Sequence, residues 1–417
     1  MEIGKFKIRN RNTLIYIRVS AQPTLPQNRK RMKSKIIPIN LQRQAADYEI
    51  HIGHDLLKDC GEWAKGLLGK RPGRIALVSN SKIVGLYGDA VRKSLIDAGF
   101  QVSVCLIPDG EKYKNFRVLQ QTLDLFGENR LSRTDAVIAL GGGVAGDLAG
   151  FAASIYLRGI AFIQIPTTLL AMIDSSVGGK TGVNSDFGKN LIGSFYQPNG
   201  VLIDIDTLGT LPKREVTAGF CEAVKHGAVA GKTLFDQTAG FLETYRPLEI
   251  RKRLADAGFV DEFEDLLEAH VTFKAKIVRN DEREAPGTTD AGSRKILNFG
   301  HTLAHSLEKV TDYRHLKHGE AVGYGIRFAA LLSKKIGLLS DNQLKSLNDA
   351  VHRTGKLPSI NHLDPESVFD TFKYDKKLIN DSLHWILLEG IGKPVIFPHV
   401  KIPHSTLMAA LEEIIRT

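Results

Sequence analysis

The chain has 417 residues, of which 43% are hydrophobic and 24% are charged. This length exceeds one ordinary core and suits two domains of roughly 150–200 residues each, and no window approaches the roughly 20 unbroken apolar residues of a membrane span. The net charge of +10 would suit a nucleic-acid partner, but residues 1–36 hold ten cations and one anion, so the remainder carries only +1. The charge therefore argues against nucleic acid as a partner of the folded body.

The basic N-terminal segment, residues 1–40, is predicted to be a tail that is disordered or that precedes the natural start of the protein. It has no long apolar region, which excludes a secretory signal, and serine is scarcer than in organelle presequences. Met32 opens a sequence that resembles an ordinary protein beginning, Met-Lys-Ser-Lys-Ile-Ile-Pro-Ile. We therefore favour a start site placed too far upstream.

The three cysteines are Cys60, Cys105 and Cys221. A sparse set with an odd number argues against a disulfide framework and against a thiolate metal site. Such cysteine usage fits a reducing compartment, and we expect a cytoplasmic protein.

The first predicted domain, residues 41–205, alternates short apolar runs with amphipathic stretches. Strands are predicted at residues 74–78, 102–107, 136–140, 162–165 and 201–205, with helices near residues 89–98 and 115–126. Strands separated by helices indicate βαβ units. We expect an α/β dinucleotide-binding domain with a mostly parallel sheet.

The second predicted domain, residues 206–417, is mainly α-helical. Few strand-like runs remain after residue 206, and helical patterns cover residues 214–229, 261–279, 302–308 and 318–334. We expect this part to carry a metal-binding site.

A glycine run follows the predicted strand at residues 136–140. Gly141, Gly142 and Gly143 lead into Val144-Ala145-Gly146-Asp147. Glycines let a backbone approach a pyrophosphate, and a helix N-terminus offers free N–H groups to it. The spacing is neither that of a Rossmann fingerprint nor that of a P-loop, so a tight strand–helix turn is an equally good explanation of the run alone.

Polar groups after the neighbouring strands favour a ligand at the glycine run. Thr167 and Thr168 follow one strand, and the stretch from Asp109 to Lys114 follows another. The carboxyl ends of parallel strands meet at one edge of a sheet, where ligands bind. A glycine-rich stretch then runs from Asp174 to Asn190, and its two lysines, at positions 180 and 189, suit phosphate oxygens.

An acid and three histidines could hold a divalent metal. His301 and His305 stand four residues apart, so that they share one face of a helix, and His318 opens another predicted helix. Glu222 lies on a third helix. One glutamate, two histidines and an open position form a catalytic zinc arrangement, although spacing alone does not say which two of the three histidines bind.

Four cations stand in apolar or small-residue surroundings: Arg158, Lys225, Lys274 and Arg294. Each alone is more often a surface charge or a salt-bridge partner. Together with Lys180 they would suit a substrate with two anionic ends.

Several blocks in this order closely resemble the 3-dehydroquinate synthase family. They include PDGEKYK, LGGGVAGDLAGF, QIPTTLL, DSSVGGKTGVN, GKNLIGSFYQP, NFGHTLAHSLE and HGEAV. The similarity runs from about Tyr48 to Lys393, and the ordered set is far more specific than any one block. The resemblance implies an NAD-binding α/β domain, a helical metal domain and an active site in the cleft between them.

The resemblance also implies roles for individual residues. The implied metal ligands, for zinc or cobalt, are Glu222, His301 and His318. The implied NAD site uses Asn80, Glu111, Lys114, Gly143, Val144, Asp147, Thr167, Thr168, Thr207 and Thr210, to which we add Asp109, Lys180 and Lys189. The implied substrate pocket uses Arg158, Asp174, Lys180, Lys189, Asn190, Lys225, Lys274, Arg294, Asn298, His305 and Lys376. Asn80 stands where some members have Asp, and residues 285–293 form a longer segment than is typical.

The family converts 3-deoxy-D-arabino-heptulosonate 7-phosphate to 3-dehydroquinate and phosphate in the shikimate pathway of aromatic amino acid biosynthesis. The implied reaction oxidises the substrate transiently with NAD, eliminates phosphate, returns the hydride and closes the ring by an intramolecular aldol step. The resemblance thus implies a carbon–oxygen lyase with an anionic small-molecule substrate, and members are commonly homodimers. His305 is a plausible proton-transfer group beside the metal.

Three alternatives remain. A related sugar-phosphate cyclase would make a valiolone or inosose skeleton, whereas Asn298, His305 and the cations suit a substrate that bears a carboxylate. A metal-dependent polyol dehydrogenase would need exchangeable NAD and no phosphate-binding cations. A non-catalytic dinucleotide sensor would not need the intact acid and histidine cluster.

Overall fold

A computed structural model describes residues 5–10, 13–18, 47–69, 73–285, 292–378 and 384–416. Side chains are described for residues 47–69, 73–285, 292–372 and 384–416. The chain divides into two compact units, Met1–Ala45 and Ala46–Thr417. None of the helices in these described ranges is both long and apolar enough to cross a bilayer.

The N-terminal unit contains a two-stranded antiparallel hairpin. Its strands are β1 (Lys5–Asn10) and β2 (Thr13–Arg18), with Lys5 opposite Arg18. The described part of the predicted tail is therefore paired strand. The proposed start at Met32 lies outside the described residues.

The second unit is built on a parallel sheet of six strands. These are β3 (Glu49–Gly53), β4 (Arg74–Ser79), β5 (Gln101–Leu106), β6 (Ala136–Gly141), β7 (Ala161–Pro166) and β10 (Gly200–Asp204). Their order is β3-β10-β7-β6-β4-β5, and every neighbouring pair is parallel. The predicted parallel sheet is confirmed, and β3 is an edge strand that the sequence pattern did not reveal.

Helices cover both faces of this sheet. They are α1 (Cys60–Leu68), α2 (Ser81–Ile83), α3 (Asp89–Asp97), α4 (Phe116–Glu128) and α5 (Gly143–Ile155). Alternate residues of β4 enter different cores, since Ile75 and Leu77 pack in one cluster and Ala76 and Val78 in the other. A strand buried on both faces must be apolar throughout, which explains the continuous run of β4.

Two antiparallel hairpins accompany the sheet. One consists of β8 (Lys180–Ser185) and β9 (Gly188–Phe195), and the other of β11 (His384–Leu388) and β12 (Pro394–Pro398). The glycine-rich stretch from Asp174 to Asn190 therefore supplies β8 and the start of β9. The second hairpin interrupts a region predicted to be helical.

The C-terminal part is mainly helical, as predicted. Its helices are α6 (Lys213–Ala230), α7 (Lys232–Thr244), α8 (Ile250–Arg253), α9 (Ala257–Asn280), α10 (His301–Val310), α11 (His318–Lys335), α12 (Asp341–Thr354), α13 (Pro365–Leu378) and α14 (His404–Arg416). One hydrophobic cluster joins Val201 and Ile203 of the sheet to Phe220 of α6 and Phe263 of α9. The domain boundary at residues 205/206 stays a prediction.

Close backbone approach brings α6, α10 and α11 together. A Cβ atom on Gly319 would lie 2.0 Å from the carbonyl oxygen of Ala218, and one on Gly325 would lie 1.9 Å from that of Gly300. Gly300 itself has φ +80°, which few other residues adopt. These contacts set the spacing of the three helices that carry the predicted metal ligands.

Candidate active site

The predicted metal ligands meet at one point. Glu222 of α6 is fully buried, and its Oε1 receives no hydrogen bond among the described residues. The Nε2 atoms of His318 and His301 lie 3.5 and 3.9 Å from this oxygen. One ligand atom from each of the three residues lies within 4.8 Å of the others. A buried carboxylate oxygen without a hydrogen bond, faced by two imidazoles, belongs to the kind of donor set that binds a divalent metal.

Both histidines are held at their other ring nitrogen. His301 Nδ1 lies 3.3 Å from the carbonyl oxygen of Phe299, and His318 Nδ1 lies 3.3 Å from Oε1 of Glu308. An acceptor at Nδ1 places the proton there and leaves the Nε2 lone pair free for a metal. The residues present therefore fit a divalent metal.

His305 lies beside this cluster without facing Glu222. Its exposed ring stacks on that of His318, with ring centroids 6.1 Å apart. His305, Glu308 and His318 form a second group whose ligand atoms lie within 4.8 Å. The ambiguity left by the i, i+4 spacing thus has a structural basis, because all three imidazoles are neighbours.

Asp174 organises the cations next to the metal ligands. Its carboxylate accepts a hydrogen bond from Lys225 Nζ at 3.1 Å and another from Lys274 Nζ, and His226 Nε2 lies 3.6 Å away. Lys225 Nζ is also 2.5 Å from Oε2 of Glu222. Burial by itself would raise the pKa of Asp174, but Lys225 and Lys274 hold that pKa well below its usual range. Asp174 is therefore a fixed anion.

Lys274 has a pKa below that of an ordinary lysine. The side chain is 7% exposed, and burial lowers its pKa to about 8 although Asp174 opposes the shift. Lys225 and Arg294 also lower this pKa because they add positive charge nearby. Lys274 can therefore lose its proton just above neutral pH.

A second group of polar side chains surrounds Arg294. This arginine is 1% exposed, donates from Nη1 to the carbonyl oxygen of Glu282 at 2.8 Å, and has no partner at Nε among the described residues. Glu284 pairs with Lys180 and accepts a hydrogen bond from Asn298 Nδ2 at 3.3 Å. Lys180 and Asn298 thus hold an anionic group already, and the Arg294 guanidinium has an unused donor for another.

The glycine run forms the turn between β6 and α5. Gly142 precedes the helix, and no side chain caps the first N–H groups. A Cβ atom on Gly142 would lie 3.1 Å from Thr168 Cγ2, and one on Gly143 would lie 3.1 Å from Ser175 Oγ. Thr167 Oγ1 is buried with no described partner. Uncapped N–H groups beside a hydroxyl without a described partner fit the pyrophosphate of a dinucleotide.

Lys114 contacts several of the residues predicted to bind NAD or substrate. Its Nζ donates to Asp147 at 2.8 Å and to Asn190 at 2.6 Å, and it lies 3.3 Å from Glu111. Lys189 Nζ is 3.9 Å from the same glutamate. The stretch after β5, the N-terminal half of α5 and the β8–β9 hairpin therefore meet in one charged network.

The remaining predicted NAD residues lie at strand ends. Asn80 caps α2 by accepting from the N–H of Ile83 at 2.9 Å, and its Nδ2 is 3.4 Å from Asp109. Thr207 and Thr210 are joined by Tyr87, whose hydroxyl donates to the Thr207 carbonyl oxygen at 2.8 Å and contacts the Thr210 hydroxyl.

Of the predicted residues with a described side chain, Arg158 is not brought to the cluster. Arg158 is exposed, with φ +67°, three residues beyond the end of the 13-residue helix α5, and no hydrogen bond or ion pair among the described residues involves its side chain. A helix of that length places Arg158 about 20 Å from the glycine turn. Lys376 lies on α13, and its side chain is outside the described residues.

The structure also reveals polar residues that the sequence interpretation did not select. These are Tyr87, His226, Glu284 and Glu308. Glu308 could have been found, because it lies one turn beyond His305 on the same predicted helix face. The contact between Glu284 and Lys180 spans 104 residues, and no local pattern signals it.

Solved structures with the same fold define the class. The chain matches 2-epi-5-epi-valiolone synthase from Streptomyces hygroscopicus, solved with NAD⁺ and Zn²⁺, at 26% identity and TM-score 0.79, covering 91% of this chain and 99% of the other. It matches 2-deoxy-scyllo-inosose synthase, complexed with NAD⁺ and Co²⁺, at 25% identity and TM-score 0.71, covering 87% and 96%. Glycerol dehydrogenase from Schizosaccharomyces pombe shares the fold alone, at 17% identity and TM-score 0.59, covering 88% of each chain. The fold class is therefore that of the sugar-phosphate cyclases.

Sequence comparison narrows the class to one family. Family models described as 3-dehydroquinate synthase N-terminal and C-terminal match residues 104–218 and 219–378. The 3-dehydroquinate synthase of Nostoc punctiforme is 41% identical over 91% of this chain and 99% of the relative, and that of Nitrosospira multiformis is 38% identical over 90% and 98%. The chain belongs to the 3-dehydroquinate synthase family.

Proposed function

We propose that this chain is a 3-dehydroquinate synthase, a carbon–oxygen lyase that converts 3-deoxy-D-arabino-heptulosonate 7-phosphate to 3-dehydroquinate and phosphate. The observation that carries the proposal is the meeting of Glu222, His301 and His318 beside a cluster of buried cations. Relatives about 40% identical over most of the chain bear this name. The lyase class and a place in aromatic biosynthesis follow from the proposed reaction.

The proposed cofactors are NAD and a divalent metal, zinc or cobalt. NAD supplies reversible hydride acceptance, and the metal supplies Lewis-acid polarisation of substrate oxygens. The proposed metal ligands are Glu222, His301 and His318, and the uncapped start of α5 with Thr167 would hold the dinucleotide pyrophosphate.

The cations would bind the two anionic ends of the substrate. Arg294, whose Nε donor has no described partner, would bind the carboxylate. Lys180 and Asn298 now contact Glu284, and they would contact a substrate oxygen in its place. Lys189 and Asn190, on the β8–β9 hairpin, would contact the phosphate.

The other side chains would position groups and move protons. Asp174 would hold Lys225 and Lys274 in place and favour their charged forms. His305, exposed beside His318, would transfer a proton through its imidazole ring.

Two further features belong to the proposal, a homodimer and a cytoplasmic location. Members of the family are commonly homodimers, and we propose the same state for this chain. In a dimer, the exposed Arg158, about 20 Å from the glycine turn of its own chain, could contribute to the active site of the second chain. A cytoplasmic location is proposed from the cysteine usage, as all three thiols are free and buried.

A related cyclase that makes a valiolone or inosose skeleton is the second candidate. The similarity to 2-epi-5-epi-valiolone synthase favours it at the level of fold. The buried Arg294 with an unused donor favours a substrate that bears a carboxylate, and therefore the dehydroquinate reaction.

A direct assay separates these functions. Purified protein is incubated with NAD⁺, Zn²⁺ or Co²⁺ and the heptulosonate phosphate, while phosphate and dehydroquinate are measured. We expect equal amounts of both products and no net NADH. Product from sedoheptulose 7-phosphate or glucose 6-phosphate alone, or steady NADH formation with a polyol, would contradict the proposal.

The low pKa of Lys274 predicts a pH dependence of substrate binding. Below about pH 8 the side chain is charged, and above it the proton is lost. We expect kcat/KM for the anionic substrate to fall as pH rises through about 8, because kcat/KM reports the ionisation of the free enzyme.

The effect of Lys274 on folding stability has the opposite pH dependence to its expected effect on kcat/KM, so the two can be distinguished. Because the pKa of Lys274 is lower in the folded chain, the unfolded chain binds more protons above about pH 8, and this group adds stability as pH rises there. Thermal unfolding measured over the same pH range should therefore show no loss of stability due to Lys274 where kcat/KM falls. In Lys274→Arg, whose guanidinium stays charged, the fall in kcat/KM should move to higher pH. An unchanged profile in this variant would refute the assignment.

A further inference from the structure

Glu308 lies next to the proposed metal ligands and has no assigned role. It is on α10, is 2% exposed, and its Oε2 has no hydrogen-bond partner among the described residues. Its Oε1 lies 3.3 Å from His318 Nδ1 and accepts a hydrogen bond from Lys189 Nζ at 2.9 Å. A buried carboxylate that contacts one imidazole and one ammonium is held in place by both.

The contact with His318 bears on the metal site. The Nε2 atom of this ring faces Glu222 at 3.5 Å, so the proton of a neutral imidazole must sit on Nδ1 when Nε2 binds a metal. Glu308 is the acceptor for that proton. A carboxylate in this position fixes the ring orientation and raises the basicity of the ligand, more strongly than the carbonyl of Phe299 does for His301.

The contact with Lys189 reaches a different part of the fold. Lys189 belongs to the β8–β9 hairpin, and its Nζ lies 3.9 Å from Glu111, which follows the sheet strand β5. The same Nζ is 4.5 Å from the ring centroid of Tyr313. Glu308 thus joins the hairpin and the charged network around the glycine turn to a helix that carries a metal ligand.

We propose that Glu308 is a positioning residue that orients His318 for metal binding and holds Lys189 against the metal-binding helices. The inference rests on the metal site of the proposed function. A different explanation of the same geometry is a second metal bound by His305, Glu308 and His318. The ammonium of Lys189, 2.9 Å from Glu308, opposes a second cation there.

Metal binding tests the proposal without reference to turnover. The metal-stripped wild-type chain, Glu308→Gln, Glu308→Ala and Lys189→Met are titrated with Co²⁺ against a chromophoric chelator, and the visible spectrum of bound Co²⁺ is recorded. We expect one Co²⁺ per wild-type chain and binding about 10- to 100-fold weaker in Glu308→Ala. Glu308→Gln keeps an oxygen acceptor for His318 Nδ1, so its loss should be smaller, with an altered spectrum.

Lys189→Met is the matched control for the two contacts of Glu308. It removes the ammonium but leaves the carboxylate beside His318, so its Co²⁺ affinity should stay within about threefold of wild type. Both Lys189→Met and Glu308→Gln should raise KM for the heptulosonate phosphate. If Glu308→Ala fails to fold, the isosteric Glu308→Gln carries the test.

The outcomes separate this inference from the proposed function. Wild-type affinity and spectrum in Glu308→Ala and Glu308→Gln, in an enzyme that still makes dehydroquinate, would overturn the positioning role alone. Two Co²⁺ per wild-type chain and one per Glu308→Ala chain would replace it with the second metal site. A wild-type chain that binds no Co²⁺ would overturn the inference together with the metal site on which it rests.

Discussion

His318→Ala should lose the divalent metal, whereas His305→Ala should keep it. The Nε2 atom of His318 faces the buried Oε1 of Glu222 at 3.5 Å, and removal of this ring takes away one of three donors. Loss of a partner outside the ligand set typically weakens metal binding about 10- to 100-fold, so loss of a ligand should exceed about 100-fold. The check is the metal content of each purified variant after dialysis, followed by competitive Co²⁺ titration.

His305→Ala is the matched comparison because its ring lies beside the same cluster. No contact among the described residues joins His305 to Glu222, so Co²⁺ affinity should change by only a few fold. If His305 transfers a proton, kcat should fall by about 10²- to 10⁴-fold while metal remains bound. Metal loss in His305→Ala with retention in His318→Ala would reverse the ligand assignment.

The parallel sheet could be predicted because its signal is local. Strands such as β4 and β6 are buried on both faces, which forces uninterrupted apolar runs between amphipathic helices. The hairpin of β11 and β12 gave no such signal, since β12 contains two prolines and is only half-buried. The edge strand β3 has five residues and alternates exposed and half-buried positions over only the first four, too few for the pattern to stand out.

Those parts of the candidate site could be predicted whose residues lie close together in the sequence. The glycine run and the i, i+4 histidines are local features, and the family resemblance selected His301 and His318 from three neighbouring imidazoles. Long-range pairing was not predictable from the residues, as the contact of Glu284 with Lys180 shows. Nor does composition reveal that Gly319 allows α11 to approach α6, because this requires the backbone contact with Ala218.

Lys225→Met should destabilise the metal-free chain strongly. Lys225 is 1% exposed and lies between two acids, with its Nζ 3.1 Å from Asp174 and 2.5 Å from Glu222. Methionine fills a similar volume but leaves the fully buried Glu222 carboxylate without its cation. Breaking a buried ion pair on one side typically costs about 3–5 kcal/mol, which should appear in denaturant unfolding of the stripped protein.

A divalent metal should offset much of this loss, because it supplies positive charge to the same carboxylate. A ligand that binds only the folded state stabilises it in proportion to the logarithm of its concentration over Kd. Lys225 and the metal compete electrostatically for Glu222, so the rise in Tm on adding Co²⁺ should be larger in Lys225→Met than in wild type. Glu222→Gln with Lys225→Met is the control, because the carboxylate is gone and added Co²⁺ should then change Tm little. An equal Tm rise in wild type and in Lys225→Met would show that Lys225 and the metal act on different groups.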